Sequence, residues 1–239
     1  MSRPVGRELQ VYAPIMNENV YTNLWRGPFH GFSQVIETFQ RTEKPRRLKP
    51  LNIYYHFYSG SKQSSLRALR EVYDWAIAQH PLPIPCATYV RMAHDFDTAA
   101  LAQRIDGSWG FRDFATVRTF RYPESLGYPD LRHHPELITL EDGPDGRRVS
   151  FANAGGRDLH FTSDSPREPY ARSISATVLE WERKPGSLKL QLESSLPIRM
   201  VVPVPIEVVS VAPHEVTVNA DGDQVAEFEG SRVEVILRW

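Results

Sequence analysis

The stretch Pro45 to Gly60, PRRLKPLNIYYHFYSG, constrains this chain more than any other. Leu51, Ile53, Tyr55 and Phe57 alternate with Asn52, Tyr54, His56 and Tyr58. That is the two-residue period of a β-strand, and it leaves His56 on the face opposite Ile53. Ser59-Gly60-Ser61 follows with turn and N-cap chemistry, and Leu66, Leu69, Val72, Tyr73, Ala76 and Ile77 then recur at helical steps. The unit reads as strand, tight loop, helix. In α/β folds ligands gather beyond the C-terminal ends of strands, so His56 stands where chemistry is usually carried out.

The sequence around this unit extends the pattern. Leu9–Tyr12 and Val20–Thr22 are β-prone, Phe32, Val35, Ile36 and Phe39 mark one helical face, and Leu82–Tyr89 is apolar enough for a buried strand with Pro83 and Pro85 at its start or edge. Residues 9–90 therefore read as strand, helix, strand, helix, strand, a parallel α/β arrangement with right-handed crossovers. Three strands make a poor free-standing parallel sheet, so the expectation is the tail of a larger barrel or a sheet that borrows strands. Between the first two strands, Leu24 to Gly31 is a loop rich in glycine, proline and aromatics. Trp25 beside Arg26 suits sugar stacking with hydroxyl recognition, or else Trp25 and Phe29 plug the end of a core.

Past Asp97 the texture changes. Turn signals at Asp106-Gly107, Asp142-Gly143, Asp145-Gly146, Gly155-Gly156, Pro185-Gly186 and Asp221-Gly222-Asp223 separate short β-prone runs. These runs include Val117–Arg121, Val149–Ala152, Ile174–Arg183, Leu188–Leu192, Ile198–Val204, Val216–Val218, Val225–Phe228 and Val233–Trp239. The fold class expected is α/β plus all-β, with residues 1–98 the C-terminal portion of a (β/α) barrel and 99–239 an antiparallel β-sandwich.

Composition bounds the function. A formal charge of -1, from 28 basic and 29 acidic residues, offers no electrostatic reason to expect nucleic acid as a partner. The one basic cluster, Lys44, Arg46, Arg47 and Lys49, reads as a solvated approach to the strand. The single Cys86 excludes an intramolecular disulfide. No transmembrane segment and no signal peptide is read in the sequence, since no apolar run approaches the length of a membrane span and the opening residues lack a secretion-signal core.

Longer motifs carry a resemblance. Asn17-Glu18-Asn19-Val20-Tyr21-Thr22-Asn23-Leu24-Trp25 with Gly27-Pro28, then Arg46-Arg47-Leu48-Lys49-Pro50, Tyr54-Tyr55-His56-Phe57-Tyr58-Ser59-Gly60, Arg121 and Gly127-Tyr128-Pro129-Asp130, resemble the deacetylase region of the Pel exopolysaccharide deacetylases (PelA-like). The resemblance spans most of residues 8–132 and is weak over the remaining β-rich part. It implies a periplasmic, metal-dependent polysaccharide N-deacetylase of biofilm matrix biosynthesis, acting on an acetylated, galactosamine-rich polymer alongside other exopolysaccharide-export proteins. It implies a distorted (β/α) barrel, a β-rich domain after it, and a strand-end histidine facing the active site, which His56 matches.

Such chemistry requires an aspartate and two histidines on a divalent, zinc-like ion, a carboxylate base, and a histidine that protonates the leaving amine. No two histidines here are four residues apart, so the metal and base half of the site is missing from this sequence. His94-Asp95-Phe96-Asp97 follows the α/β segment and reads as a solvated connector, and the adjacent pair His133-His134 as a surface feature. The expectation is the C-terminal part of a longer enzyme, inactive alone, with His56 the leaving-group acid or transition-state donor and Trp25, Arg26 and Tyr58 as sugar contacts. A core histidine bonded to a backbone carbonyl is the other reading of His56. The competing function is a noncatalytic polysaccharide-binding or assembly module using aromatics at Trp25 or at Trp109, Phe111 and Trp181.

Overall fold

The computed structural model describes residues 2–11, 15–16, 33, 35–42, 50–55, 57–61 and 63–239. The chain divides into two compact units, Met1–Pro81 and Leu82–Trp239.

The first unit opens with an antiparallel hairpin, β1 (Ser2–Val5) and β2 (Glu8–Val11), turned at Gly6 with φ +64°. β3 (Ile15–Met16) then pairs in parallel with β4 (Asn52–Ile53), and α1 (Val35–Thr42) lies between them in sequence. A 3-10 turn, Phe57–Ser61, leads into α2 (Gln63–Ala78). Val35 and Phe39 of α1 are buried with Ala68, Leu69 and Val72 of α2, so the apolar stripe of each helix finds the other. Phe39 stacks on Trp75 at 5.8 Å and 11°.

Two expectations are corrected in this part of the chain. The strand predicted from Leu51 to Phe57 is a strand only at Asn52–Ile53, and Phe57 is 96% exposed within the 3-10 turn. A strand persists only where a neighbour takes its ladder bonds, and the described partner, β3, offers two residues. The strand predicted at Leu82–Tyr89 is instead an irregular proline-rich lead into α3 (Cys86–Thr98), which begins the second unit. Pro81, Pro83 and Pro85 donate no ladder bonds, and Pro85 stands at the N-cap with φ -60° and ψ 143°. Among the described residues the parallel sheet thus has two strands, and those residues are mostly β with three α-helices.

In the second unit, β5 (Ala100–Gln103), β6 (Trp109–Arg112) and β11 (Arg157–Leu159) form one small antiparallel sheet. β7 (Thr119–Tyr122), β9 (Leu137–Gly143) and β10 (Gly146–Phe151) form a second, and β8 (Tyr128–Pro129) pairs with β12 (Phe161–Thr162). A sandwich-like pair of four-stranded sheets follows. One has the order β13 (Ser173–Ile174), β16 (Ile198–Val202), β19 (Gln224–Phe228), β18 (His214–Val218). The other has β14 (Thr177–Lys184), β15 (Ser187–Glu193), β20 (Arg232–Arg238), β17 (Glu207–Ser210).

The alternation of these strands explains their pairing. Leu188, Leu190 and Leu192 of β15 and Val233, Val235 and Leu237 of β20 share one buried cluster with Ile198, Met200 and Val202 of β16 and Ala226 and Phe228 of β19. The residues between them, such as Lys189, Gln191 and Glu234, are not fully buried, and Lys189 and Glu234 pair at 2.8 Å. Turn chemistry sets the registers: Pro185-Gly186 closes the β14–β15 hairpin with φ +72° at Gly186. At the β18–β19 turn the Asn219 side chain accepts the N–H of Asp221 at 3.0 Å and of Asp223 at 2.9 Å.

Candidate functional site

The sequence places its principal candidate just past β4. There the structure shows an aromatic run at a strand end: Tyr54 is 45% exposed, Tyr55 37% and Phe57 96%. Tyr55 meets Tyr73 of α2 edge-on, with ring centroids 6.2 Å apart and planes at 87°. Partial burial, and then the Tyr55 phenol, push the Tyr73 phenol up from its ordinary value. Ser33 Oγ donates to Glu71 of α2 at 2.9 Å.

His56, Trp25 and Arg26 lie outside the described residues, as do His30 and the basic cluster at Lys44 to Lys49. The backbone of Tyr58 belongs to the 3-10 turn, and its side chain is outside what is described. Sequence reasoning overlooked the exposure of Tyr54, Tyr55 and Phe57. The signal was the unbroken aromatic run itself, but a strand extended to Phe57 placed Tyr55 and Phe57 on the same face as Ile53.

A second constellation lies in the Leu82–Trp239 unit, around His133, His134 and His160. The pair read as a surface feature divides: the His133 side chain is 54% exposed, whereas His134 is 2% exposed. His134 Nε2 accepts the backbone N–H of His160 at 2.9 Å, so its ring proton resides on Nδ1, which lies 3.7 Å from Glu136 Oε1. His133 stacks on His160 at 4.5 Å and 26°. His133 Nδ1 is 3.2 Å from Asp130 Oδ2.

The carboxylates here are already engaged. Asp130 accepts from Arg132 Nε at 2.9 Å and Nη2 at 2.7 Å, and its own N–H donates to the His160 carbonyl at 2.9 Å. The Arg132 hydrogen bonds hold the Asp130 carboxyl well below the usual carboxylate range. Glu136 accepts from Arg157 Nη1 at 3.0 Å. Burial opposes ionisation of Glu136, but the hydrogen bond from His134 and the Arg157 charge carry it below its ordinary value. The Arg157 guanidinium also covers the Phe151 ring at 4.0 Å. This is a structural hub whose carboxylates are occupied, although the buried Arg157 Nε has no hydrogen-bond partner. Among the described residues no group of three or more histidine, cysteine or acidic side chains could hold a metal ion.

The remaining candidates have structural duties. Asp95 belongs to α3, and its Oδ2 accepts both the backbone N–H of Thr116, at 2.5 Å, and the Thr116 hydroxyl. Phe111 is buried, and Trp109 and Trp181 are half-buried against the same core. Trp181 also lines an open surface depression with Glu180, Glu182, Lys189 and Gln191. No described helix is long and apolar enough to cross a membrane. Compared with family models, curated proteins and solved structures, the chain matches none.

Proposed function

We propose that this chain is the C-terminal part of a metal-dependent polysaccharide N-deacetylase. Its substrate is an acetylated, galactosamine-rich exopolysaccharide of Pel type, made for the biofilm matrix and processed in the periplasm. The (β/α) barrel and the export partners belong to this proposal. The observation that supports it best is the exposed Tyr54, Tyr55 and Phe57 around position 56, directly after the end of a parallel strand. Rings at such an end stack on pyranose faces and would line a polymer up beside an imidazole.

In this reading His56 protonates the departing amine or donates to the tetrahedral transition state, and Trp25, Arg26 and Tyr58 hold the sugar. A divalent ion would supply Lewis-acid chemistry toward the acetamide in this reading, and residues outside this sequence would have to hold it. The 239-residue chain alone therefore releases no acetate from acetylated hexosamine oligomers, with zinc or cobalt added. Turnover by the purified chain would overturn the reading. An in-frame coding extension upstream carrying an aspartate pair and two histidines spaced by three residues would support it.

The same aromatic run also suits a noncatalytic glycan-binding or assembly module. The two readings part at His56, whose removal abolishes chemistry in one and leaves glycan retention intact in the other.

A further inference from the structure

We propose that His134 is a proton-sensitive latch that holds the Asp130–Glu136 loop against the strand segment at His160. This inference is independent of the deacetylase reading. The latch has one arrangement of protons. The His160 N–H points at the bare Nε2 of a ring that is 2% exposed, so proton uptake there replaces an acceptor by a donor facing a donor. It also places a charge in a buried site.

The one carboxylate beside that charge, Glu136 on the loop itself, is shared with the Arg157 guanidinium of β11 and so offsets it only in part. Phe151 of β10 meets the His134 ring edge-on at 6.0 Å. The His160 ring lies 5.9 Å away and the His133 ring 6.5 Å, and neither brings a negative charge. Asp130 is taken by Arg132 and His133, and Asp106 of the β5–β6 turn faces His160. Proton uptake thus adds positive charge to a site whose acids are committed.

The latch has a defined reach. Phe161 and Thr162, which follow His160 directly, pair with Pro129 and Tyr128 in the β8–β12 ladder. Asp130, next after Pro129, is tied by its N–H to the His160 carbonyl. Opening at His134 therefore frays this two-residue ladder and bares Tyr128 and Phe161, which pack half-buried against the main core cluster.

The test is the hydrogen-exchange protection factor of the His160 amide in the whole chain, from about pH 7.5 to about pH 5, a span that brackets imidazole titration. The expected result is a fall of about tenfold or more at His160. The Leu140 amide, bonded to Ala171 O at 2.9 Å, stays constant as the internal reference. His134→Gln retains an oxygen acceptor and cannot titrate, so its His160 protection stays level. Protection that is flat in the wild-type chain, or that falls equally in the variant, overturns the latch. Should the variant fail to fold, the wild-type contrast between His160 and Leu140 decides alone.

Discussion

Asp130 and His134, four residues apart, show how a side chain's role here depends on what approaches it. Asp130 keeps its charge because Arg132 grips both carboxylate oxygens, which sets its folded-state pKa below the unfolded value of about 3.9. A group lowered in this way stabilises the fold above about pH 4, and its contribution disappears as the pH falls through the folded value. Asp130→Asn is therefore expected to lower stability at neutral pH, with the gap to wild type closing towards about pH 2. Urea unfolding across that range measures it, and a gap independent of pH would contradict the account. His134 was illegible in the sequence for a related reason. The pair His133-His134 looks symmetric on paper, and only the arrival of His160, 26 residues later, buries one ring and leaves its neighbour half out.

Elements were legible where turn chemistry and alternation coincide. The Asp145-Gly146, Pro185-Gly186 and Asp221-Gly222-Asp223 signals fall where β9–β10, β14–β15 and β18–β19 turn, and β15 buries every second residue. The α1 and α2 stripes were equally plain, because their three- and four-residue steps carry no competing signal. The failures occurred where the backbone lacks donors or partners. Prolines before α3 imitate a strand by hydrophobicity alone, and β4 stops where its described partner stops. β14 also carries a half-buried cation that alternation does not foresee. The Arg183 guanidinium donates to the carbonyls of Pro135 at 2.8 Å, Pro169 at 2.7 Å and Leu137 at 2.5 Å, and burial lowers its pKa to about 10. It fastens the edge strand of one sandwich sheet to the segments flanking it. Arg183→Met orphans three carbonyls and should destabilise the second unit by about 3 kcal/mol. A loss within about 0.5 kcal/mol by urea unfolding would show those bonds to be dispensable.

For the whole molecule, the β-rich character was readable because it depends on local periodicity. The proposed chemistry comes from the resemblance carried by the longer motifs, and the metal and base residues it requires are missing from this sequence. Trp25, Arg26 and His56 are known here by sequence position, and the described Tyr54, Tyr55 and Phe57 supply the exposed rings around the last of them. The account's central claim is that His56 acts in amide hydrolysis on a glycan. The most direct measurement is kcat for acetate release from N-acetylhexosamine oligomers by the longer metal-loaded protein, wild type against His56→Ala. The account predicts a loss of about 10²–10⁴-fold with glycan binding retained; an unchanged kcat would contradict it.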